Sequence, residues 1–588
     1  MKATKPIIKL ISDTKEGLQN FRCNLNNSLK YREIDLINNY PVVYIHGWKR
    51  NGKFEIYVGE SGNFFRRTKE HYDLIESDQW EHNLKNNKAF LYVITHEYFN
   101  KSLTKDIENK LIKYLSSSKS VAKVYNVKSN PQNNYFSQDK FDRIFAKIWQ
   151  QLRMYDNTLF LSESIIESSA IFKASPLHKL NEEQLLAKEK MLESIDLCLS
   201  KDVNHQLIFV RGNSGTGKTV LMSSVFYDFI NMKRNSKNKN PEVGIIVNNK
   251  EQVTIYEEIV DKLDLNINGE KMVFKSTQFI NLFKNKKNSP AKRTKKYDVL
   301  FVDEAHLLLT RKNQAYTENE YQLTEIMKYA KVVVAIFDRR QIMNAEQYLG
   351  KEEVDKFINM AKQNDSFIEL NIQMRMKTSK ELERWIRAIY TDGVITKAPS
   401  NREKYEIKIF DTPKKLESAI RKKASSKKTP LSRLIATYDW KYRENSRPKN
   451  KKYWDVTIGD WAMPWNYELS QDLTYREKQN IKKLPWAQQP HTINEVGSIY
   501  TIHGFDLNYA GVIIGPSIKY RNGKILFDSS LSYNDKAKQK RKLPDGTSKS
   551  FGEEFLQNEL GVLLTRGVNG LYIYACDDAL REQLKKSL

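Results

Sequence analysis

Residues 212–219, GNSGTGKT, combine spaced glycines with a lysine–threonine pair, a pattern suited to holding phosphate groups. Gly212, Gly215 and Gly217 let successive backbone N–H groups curve around phosphate oxygens, and the start of the next helix favours an anion. Lys218 is expected to reach the β and γ phosphates, and Thr219 to hold Mg²⁺. The segment follows an apolar run and precedes the helical pattern VLMSSVFYDFI. The sequence therefore predicts a site for ATP with magnesium.

An acidic pair, Asp303 and Glu304, follows the apolar run YDVLFV. Open α/β sheets bind their ligands at the carboxyl ends of the strands, so we expect this pair near the phosphates. Asp303 is predicted to take the magnesium ion, directly or through water, and Glu304 to orient or deprotonate the attacking water. Gln341, in FDRRQ after the next apolar run, is predicted to sense the γ phosphate.

Three further side chains fit ATP hydrolysis by their place in the chain. Arg375 lies in NIQMR and Arg566 in LLTRG, both well after the phosphate loop. Hydrolysis needs positive charge on the transferring phosphoryl group, and a second domain can supply it as an arginine finger. Gln184, ahead of the loop, stands where a glutamine that reads adenine can lie. These positions predict an ATP-hydrolysing site shared by two domains.

A second group of polar residues lies nearer the N-terminus, around IYVGESGNFFRRTKEHY. Tyr44 and Tyr57 lie on two adjacent strand-like runs joined by the turn KRNGK. Arg67 and His71 are one helical turn apart and therefore share a face. Arginine neutralises phosphate oxygens, and a phenol or an imidazole can relay a proton from water.

A carboxylate and an amide complete this second group. Glu108 lies in the amphipathic helical pattern TKDIENKLIKYL, and Asn126 follows in YNV. One carboxylate can hold a divalent ion that polarises a phosphate and stabilises the leaving oxygen. The stretch lacks Gly-Lys-Ser/Thr, so it is a poor ATP loop. The group predicts hydrolysis of a phosphodiester.

These residues need several folded parts to position them. Residues 1–37 are polar and mixed, and are predicted to be a leader or short helices. Strand-like runs and two helices over 38–135 predict a small α+β domain, and 136–177 a helical linker. From residue 178 onward, apolar runs alternate with helical segments, which is typical of buried parallel strands. We expect two α/β domains there, 178–365 and 366–588, the second with insertions.

The later motifs resemble those of superfamily 1 helicases, and most closely the Schlafen-type DNA/RNA helicase group, over roughly residues 178–588. The motifs are GNSGTGKT, VDEAH, FDRRQ, QMR, TIHGFDLNYAGVIIG and VLLTRGVNGLYIY. The resemblance implies two RecA-like domains with ATP in their cleft and a single strand crossing above. It implies ATPase roles for Lys218, Thr219, Asp303, Glu304, Gln341, Arg375 and Arg566. One motif departs from the family, since His503-Gly504-Phe505-Asp506 stands where members often have Gln-Gly before an acidic residue.

The N-terminal motifs resemble the GIY-YIG nuclease family over roughly residues 38–130. VVY and YVG stand for the two signature tripeptides, with Val42 in place of the first glycine, and FFRRTKEH, ENKLIK and YNV follow. The resemblance implies a general base in Tyr44, assistance from Tyr57, phosphate binding by Arg67, a proton relay through His71, Mg²⁺ or Mn²⁺ on Glu108, and a closing amide in Asn126. The alternative is a GIY-YIG fold kept only for binding DNA.

Composition limits the class of protein. The chain has 588 residues, too many for one core, and a formal net charge of +26, which favours polyanionic partners. Its three cysteines lie far apart, which argues against a disulfide framework or a zinc knuckle. No run of 18 or more apolar residues is present, and the N-terminus has no signal-type pattern. We expect a soluble cytoplasmic protein with no membrane contact.

Two classes of function fit these features. The first is an ATP-dependent translocase or helicase joined to a metal-dependent endonuclease that acts on DNA, with a role in antiviral (antiphage) defence or in repair. The second is a nucleotide-gated switch or sensor that binds DNA or RNA without translocating, its nuclease domain serving for binding only. An RNA target is not excluded, because single strands are bound through backbone and stacking. Trp461 and Trp465 are candidates for base stacking or, equally, for core packing.

Overall fold

The computed structural model describes most of the chain, in sixteen stretches. The described residues are 5–28, 30–74, 80–85, 88–125, 135–201, 204–234, 241–266, 269–284, 293–312, 316, 320–400, 405–444, 446–481, 484–502, 504–543 and 546–588. They form two compact units. The first unit takes the described residues of 1–179, 227–237 and 255–270, and the second those of 180–226, 238–254 and 271–588.

The first unit is built on a mixed five-stranded sheet with the order β1-β4-β2-β3-β5. Its strands are β1 Ile7–Ser12, β2 Val42–Arg50, β3 Lys53–Ser61, β4 Phe90–Thr95 and β5 Val121–Val124. Its helices are α1 Lys15–Ser28, α2 Tyr31–Asn39, α3 Phe64–Asp73, α4 Lys101–Ser116, α5 Phe141–Tyr155, α6 Glu163–Ser168 and α7 Ala170–Ala174, with a short 3-10 helix over Trp80–Lys85. Only β3 and β5 run parallel; the other neighbours are antiparallel.

The hairpin of β2 and β3 places the two predicted tyrosines on one face of this sheet. Asn51 and Gly52 both have positive φ, as a two-residue hairpin turn requires, so the predicted turn is present. The register sets Tyr44 opposite Gly59 and His46 opposite Tyr57. Because side chains alternate along a strand, Val43 and Ile45 of β2 face the opposite side of the sheet from Tyr44 and His46.

Both faces of the sheet are buried, and each has its own core. Val43 and Ile45 pack with residues of α4 and α5, whereas Tyr44 and Trp48 pack with residues that include Phe64 of α3. The sheet is therefore a layer between two groups of helices, and the tyrosine face is enclosed.

Two segments predicted to lie outside the small α+β domain contribute to its sheet and its core. The predicted leader, 1–37, contains β1, whose six residues all pair with β4. A lone strand gives no local signal when its partner lies some 80 residues further on. The predicted linker, 136–177, contains α5, and its Ile148 and Trp149 are buried in the core behind the sheet. The amphipathic face of α5 needs an apolar partner, and the sheet supplies it.

The second unit begins with a six-stranded parallel sheet in the order β11-β6-β10-β9-β7-β8. Its strands are β6 Gln206–Gly212, β7 Val243–Ile246, β8 Val273–Phe274, β9 Tyr297–Val302, β10 Ala330–Phe337 and β11 Phe367–Leu370. Its helices are α8 Glu182–Ser200, α11 Ser276–Asn281, α12 Gln322–Met327 and α13 Lys351–Gln363, together with the first parts of α9 Lys218–Arg234 and α10 Lys250–Lys262, whose later residues belong to the first unit. Since β11 pairs with β6, the predicted boundary between 365 and 366 is wrong, and the first sheet extends to residue 370.

This sheet gathers the predicted nucleotide residues at one edge. β6, β10 and β9 are neighbours and run parallel, so the segments after their last residues emerge together. The phosphate loop follows β6, the acidic pair follows β9, and FDRRQ continues from β10.

A second parallel sheet, of five strands in the order β12-β22-β17-β13-β16, completes the unit. Its strands are β12 Glu406–Ile409, β13 Arg433–Ala436, β16 Val496–Gly497, β17 Leu507–Ile514 and β22 Gly567–Ala575. Three antiparallel hairpins are added to it: β14 Asp455–Ile458 with β15 Trp461–Pro464, β18 Ile518–Arg521 with β19 Lys524–Phe527, and β20 Arg541–Lys542 with β21 Ser548–Lys549. The helices are α14 Lys380–Thr391, α15 Pro413–Ala424, α16 Tyr475–Ile481, α17 Ile499–Ile502, α18 Asp535–Lys538, α19 Gly552–Leu564 and α20 Asp578–Ser587.

The predicted pair of parallel sheets is thus present, and three hairpins are added to the second of them. Within the stretches that the structure describes, no helix is long and apolar enough to cross a membrane.

Candidate functional site

The phosphate loop between β6 and α9 needs glycine at each predicted position. φ is +87° at Gly215 and +74° at Gly217, in the left-handed region that side chains rarely adopt. A Cβ on Gly217 would lie 2.4 Å from Gln184 Nε2, and a Cβ on Gly212 would lie 2.8 Å from Thr216 Oγ1. The close approaches explain why this loop tolerates no larger residue at these points.

Lys218, the first residue of α9, lies inside the loop with only 6% of its surface exposed. Its Nζ donates to the carbonyl oxygens of Gly212, at 2.7 Å, and Asn213, at 2.8 Å. The same Nζ lies 3.1 Å from Asp338 Oδ2, and this ion pair is buried. The lysine charge is therefore held in the loop and balanced by one carboxylate.

Asp338 was not predicted as a site residue, although it stands in the FDRRQ motif. Gln341 Nε2 donates to Asp338 Oδ2 at 2.8 Å, so the glutamine predicted to sense the γ phosphate binds the same carboxylate as Lys218. Burial opposes ionisation of Asp338, but the charge of Lys218 outweighs it and lowers the pKa of the carboxyl. Asp338 is therefore an ionised, buried carboxylate.

The acidic pair after β9 is also buried. Glu304 has φ of +51°, an uncommon conformation for a residue other than glycine, and such outliers concentrate at functional sites. Asp303 Oδ1 accepts from the backbone N–H of Glu304 at 2.9 Å. Glu304 Oε2 lies 3.2 Å from His306 Nε2, and burial lowers the pKa of that histidine, so the imidazole is neutral. His306 is a further unpredicted neighbour, although it closes the DEAH motif.

Arg375 lies between β11 and α14 and reaches the phosphate loop. Its Nη1 donates to Ser214 Oγ, and its Nε is 2.5 Å from Asp506 Oδ1. Asp506 belongs to the motif that departs from the family pattern, and it comes directly before β17. The predicted finger arginine is thus bridged between the loop and the second sheet.

Arg566 lies in the two-residue connection between α19 and β22 and is 1% exposed. Its Nη1 approaches the Phe505 carbonyl oxygen at 3.4 Å, while Nε and Nη2 have no hydrogen-bond partner among the residues that the structure describes. Burial, followed by the neighbouring Arg375, lowers the pKa of Arg566 to about 9. A buried guanidinium with spare donors is the arrangement that an incoming anion would satisfy.

The two groups of residues meet in one cleft between the parallel sheets. A cavity is lined by Asn213 and Ser214 of the phosphate loop, by Gln341, and by Val562 and Thr565 at the end of α19. The charges of Glu304 and Asp338 also act on Arg566. The structure therefore brings the predicted loop side and the predicted arginine side to a common space.

Gln184 lies behind the loop. Its Nε2 donates to the Thr216 carbonyl oxygen at 3.1 Å, and its Oε1 accepts from the backbone N–H of Asn181 at 3.2 Å. The second of these bonds belongs to the capping box of α8. The residue supports the loop in this structure, and its reading of adenine stays a prediction.

The protein groups at the nucleotide site suit a metal ion whose remaining ligands are water and phosphate oxygens. Across the described ranges, no three His, Cys, Asp or Glu side chains are grouped to hold an ion. Thr219 follows Lys218 in the first turn of α9, and Asp303 follows β9 at the same sheet edge. One hydroxyl and one carboxylate suit Mg²⁺, which keeps several waters and binds through substrate phosphates.

In the first unit, the predicted tyrosines, arginine and histidine come together. Tyr44 is 1% exposed, and its hydroxyl lies 3.4 Å from His71 Nε2. The Arg67 charge acts on both Tyr44 and Tyr57, and its Nη1 donates to Glu70 Oε2 at 3.1 Å. Burial, reinforced by Tyr57, raises the pKa of Tyr44 well above its ordinary value, and Arg67 opposes that change. Tyr44 is therefore a neutral phenol with an acceptor beside it.

Two residues of the 3-10 helix over 80–85 enclose this group, and neither was predicted. Glu81 Oε1 lies 3.1 Å from His71 Nδ1, and the Trp80 ring stacks on Tyr57 with centroids 4.1 Å apart. Burial lowers the pKa of His71 to about 3, so the imidazole is neutral at ordinary pH. A neutral ring that donates from Nδ1 to Glu81 leaves Nε2 free to accept the proton of Tyr44.

A second histidine–carboxylate pair lies in the same enclosure and was also missed. His46 Nδ1 is 2.7 Å from Asp13 Oδ2, and Tyr72 donates to Asp13 Oδ1 at 2.8 Å. The His46 ring lies 5.5 Å from that of His71. Asp13 comes directly after β1, so only the pairing of β1 with β4 brings it here.

Glu108 lies half-buried on α4, and its charge raises the pKa of both Tyr44 and Tyr57. The predicted metal carboxylate therefore lies near the tyrosines. Asn126 and His503 lie outside the described residues.

The two candidate stacking tryptophans differ in environment. Trp465 is fully buried in the core of the second sheet, so its ring is not available to a base. Trp461 is half-buried, and its Nε1 donates to Glu417 Oε2 at 2.8 Å. For Trp465 the core-packing alternative is the one observed.

Comparison with known proteins gives matches to helicases. The Schlafen group 3 DNA/RNA helicase domain matches residues 205–577. The uncharacterized protein YPL245W of Saccharomyces cerevisiae is 30% identical over 453 residues, which cover 71% of this chain and 93% of the yeast protein.

Two solved Pif1 helicases are more distant. One, from a study of DNA unwinding at forked double-stranded DNA, has a TM-score of 0.25 at 11% identity, over 69% of this chain and 94% of its own. The other, from Candida albicans, has a TM-score of 0.21 at 13% identity, over 42% and 55%. Scores this low carry no inference about the fold.

The family match spans 373 of the 588 residues and includes the phosphate loop, the acidic pair and both arginines. The predicted helicase resemblance is confirmed over this range, while the nuclease resemblance stays a prediction. The chain belongs to the Schlafen group 3 DNA/RNA helicase-domain family.

Proposed function

We propose that the chain is an ATP-dependent nucleic-acid translocase or helicase whose N-terminal unit is a metal-dependent GIY-YIG-type endonuclease, with DNA as the favoured substrate. The observation that carries the motor half is Arg566, a buried guanidinium with two unsatisfied nitrogens that directly follows Thr565, which lines one cavity with Asn213 and Ser214 of the phosphate loop. Burying a charge without partners is unfavourable, and a nucleotide phosphate held by the loop would supply the missing anion.

The roles in ATP hydrolysis follow from position. Lys218 exchanges Asp338 for the β and γ phosphates, and Thr219 with Asp303 holds Mg²⁺. Glu304 orients the attacking water, and its carboxylate is steadied by His306. Gln341 senses the γ phosphate through its bond to Asp338. Arg375 and Arg566 neutralise the charge that develops on the transferring group.

The nuclease half is carried by the bond from Tyr44 to His71 and the bond from His71 to Glu81. Tyr44 removes a proton from the attacking water as its own proton passes to His71 Nε2. The water oxygen forms a bond to phosphorus and the scissile P–O bond breaks. Glu81 stabilises the imidazolium that results, as a buried carboxylate does for a catalytic histidine.

Two residues would handle the phosphate charge. Arg67 neutralises the non-bridging oxygens while it orients both tyrosines. A divalent ion bound through Glu108 supplies electrophilic stabilisation of the departing oxygen. The pairing of a motor with a nuclease fits defence against invading DNA, or repair.

The first test measures ATP turnover by the full chain with single-stranded, double-stranded and branched DNA and RNA, together with strand displacement. We expect turnover stimulated by single strands, with displacement, and neither in the Lys218→Ala variant. Lys190→Ala is the matched control, because that lysine of the same unit pairs with the exposed Asp365 at the protein surface. Normal turnover in Lys218→Ala would refute the motor assignment. Stimulation without any displacement would favour the nucleotide-gated switch.

The second test measures cleavage of the same substrates with Mg²⁺ or Mn²⁺. Glu108→Ala is expected to abolish cleavage and to leave ATP turnover intact. Asp106→Ala, on the same helix, removes a carboxylate that binds Tyr135 and is expected to keep cleavage. Cleavage that persists in Glu108→Ala would locate the cutting site elsewhere. Binding without cleavage by the unaltered protein would favour a binding-only N-terminal unit.

A further inference from the structure

An insertion of the second unit, between β13 and β14, concentrates positive charge. We name residues 441–444 and 446–452 the basic insert. It contains six basic side chains and one acidic side chain, and all six basic ones are exposed. They are Lys441, Arg443, Arg447, Lys449, Lys451 and Lys452.

The basic insert has a defined shape because aromatic residues hold it at both ends. Trp454 Nε1 donates to the Ser446 carbonyl oxygen at 3.0 Å, and Ser446 Oγ donates to the Arg443 carbonyl oxygen at 3.1 Å. Trp440, just before the insert, donates from Nε1 to the Thr457 carbonyl oxygen of β14 at 3.0 Å. The positive side chains are therefore displayed on a pinned segment.

Most of this charge is not neutralised within the protein. Lys452 pairs with Asp472 at 2.7 Å, and Lys451 lies 3.9 Å from Asp455. Arg443, Arg447 and Lys449 have no carboxylate within ion-pair distance in the described part of the chain. Like charges closer than about 10 Å repel at ordinary ionic strength, so holding them together is unfavourable without an anionic partner.

Aromatic side chains border other cations of the basic insert, Lys441 and Lys452. Trp440, Tyr453 and Trp454 are half-buried, so part of each ring remains accessible. Lys452 Nζ lies 4.7 Å from the centre of the Tyr453 ring. Basic groups with adjacent ring faces are the combination by which proteins hold single strands, with phosphates on the cations and bases on the rings.

We infer that the basic insert is a contact surface for the phosphate backbone of a single-stranded nucleic acid. The inference rests on the proposed function, because it names one surface through which the motor holds its strand.

The test is the salt dependence of binding to labelled oligodeoxythymidine and oligouridine, measured by fluorescence anisotropy on the full chain. The variant is Arg443→Gln, Arg447→Gln and Lys449→Gln combined. Each lost phosphate contact lowers the slope of log K against log salt by about 0.7 for single strands, so three lower it by about 2.1. Between about 50 and 200 mM salt, the variant should lose about 20-fold less affinity than the unaltered protein does. Comparing the two oligomers shows whether DNA or RNA is the source of the phosphates.

The matched control combines Lys351→Gln, Lys356→Gln and Lys362→Gln, three exposed lysines of α13. It should keep the slope of the unaltered protein. Each single substitution in the insert should lower the slope by about 0.7, which separates the effect from a folding defect. An unchanged slope in the triple variant overturns the inference and assigns these cations to another anionic partner. An equal fall in the control overturns it too. Failure of the unaltered protein to bind any single strand overturns the proposed motor as well.

Discussion

Replacing Arg566 with methionine should make the nucleotide-free protein more stable and stop ATP hydrolysis. The guanidinium is fully buried, and burial, followed by the neighbouring Arg375, lowers its pKa from the ordinary arginine value to about 9. At about 1.4 kcal/mol for each pKa unit, the charged form costs the folded protein about 5 kcal/mol. At pH 7 the group is charged in both states, so the whole cost is present. It is relieved only as the pH rises above about 9, since the unfolded chain then binds more protons than the folded one.

Methionine has similar length, carries no charge and gives up one long hydrogen bond, the one to Phe505. Buried charged groups replaced by apolar ones often gain about 1–4 kcal/mol, so we expect a Tm several degrees higher for the second unit. Loss of an arginine finger costs about 10³- to 10⁵-fold in turnover, so hydrolysis should fall below detection.

The assay is calorimetry without nucleotide, together with a steady-state ATPase measurement stimulated by single strands. A non-hydrolysable ATP analogue should raise the Tm of the unaltered protein by more than it raises the Tm of the variant, because the phosphate satisfies the arginine. Arg384→Met is the control, since its side chain is 72% exposed and pairs only with Glu381 among the described residues. A lower Tm in Arg566→Met, with turnover retained, would refute the reasoning.

Three further predictions follow from contacts in the two sites. Gly217→Ala should abolish ATP binding in a filter assay, because its Cβ would lie 2.4 Å from Gln184 Nε2 at a φ of +74°; binding that survives would show that the loop can move. Asp338→Asn removes the ionised partner of Lys218, so it should lower kcat for ATP hydrolysis by a larger factor than it raises the KM for ATP. An unaltered kcat would show that this ion pair does not contribute to hydrolysis. Glu81→Gln should lower kcat for DNA cleavage by about 10²-fold with little change in KM. Because the pKa of His71 is about 3, kcat for DNA cleavage by the unaltered enzyme should not fall as the pH is lowered from about 8 to 5. A fall in kcat centred near pH 6.5 would show that His71 becomes protonated there and would contradict its proposed role as a neutral proton acceptor.

The motifs that sequence could predict are those whose residues act within one local segment. GNSGTGKT fixes a loop conformation through Gly215 and Gly217, and the structure has both at positive φ. The parallel strands could be predicted for the same reason, because a strand buried on both faces is a continuous apolar run in the sequence. The positions of Arg375 and Arg566 along the chain matched a known motif order, and the two arginines lie at one cleft.

The residues that sequence could not predict depend on pairings between distant segments. Glu81 reaches His71 only because the 3-10 helix folds over the sheet, and its own surroundings in the sequence are unremarkable acidic and polar residues. Asp338 stood in a recognised motif, but its ion pair with Lys218 requires β10 to lie beside β6. Trp465 was open to two interpretations because burial of a tryptophan is set by the sheet beneath it.

The edge position of β1 has a practical consequence for anyone who trims this protein. A fragment that starts at residue 38 would lack the strand that covers one side of β4, leaving a row of backbone donors and acceptors exposed to solvent. It would also lack Asp13, so His46 and Tyr72 would each lose a buried partner. We expect such a fragment to aggregate, whereas one that retains residue 5 onward keeps the edge closed. Residues 7–13 therefore form one side of the enclosure and must be kept in any shortened version of this unit.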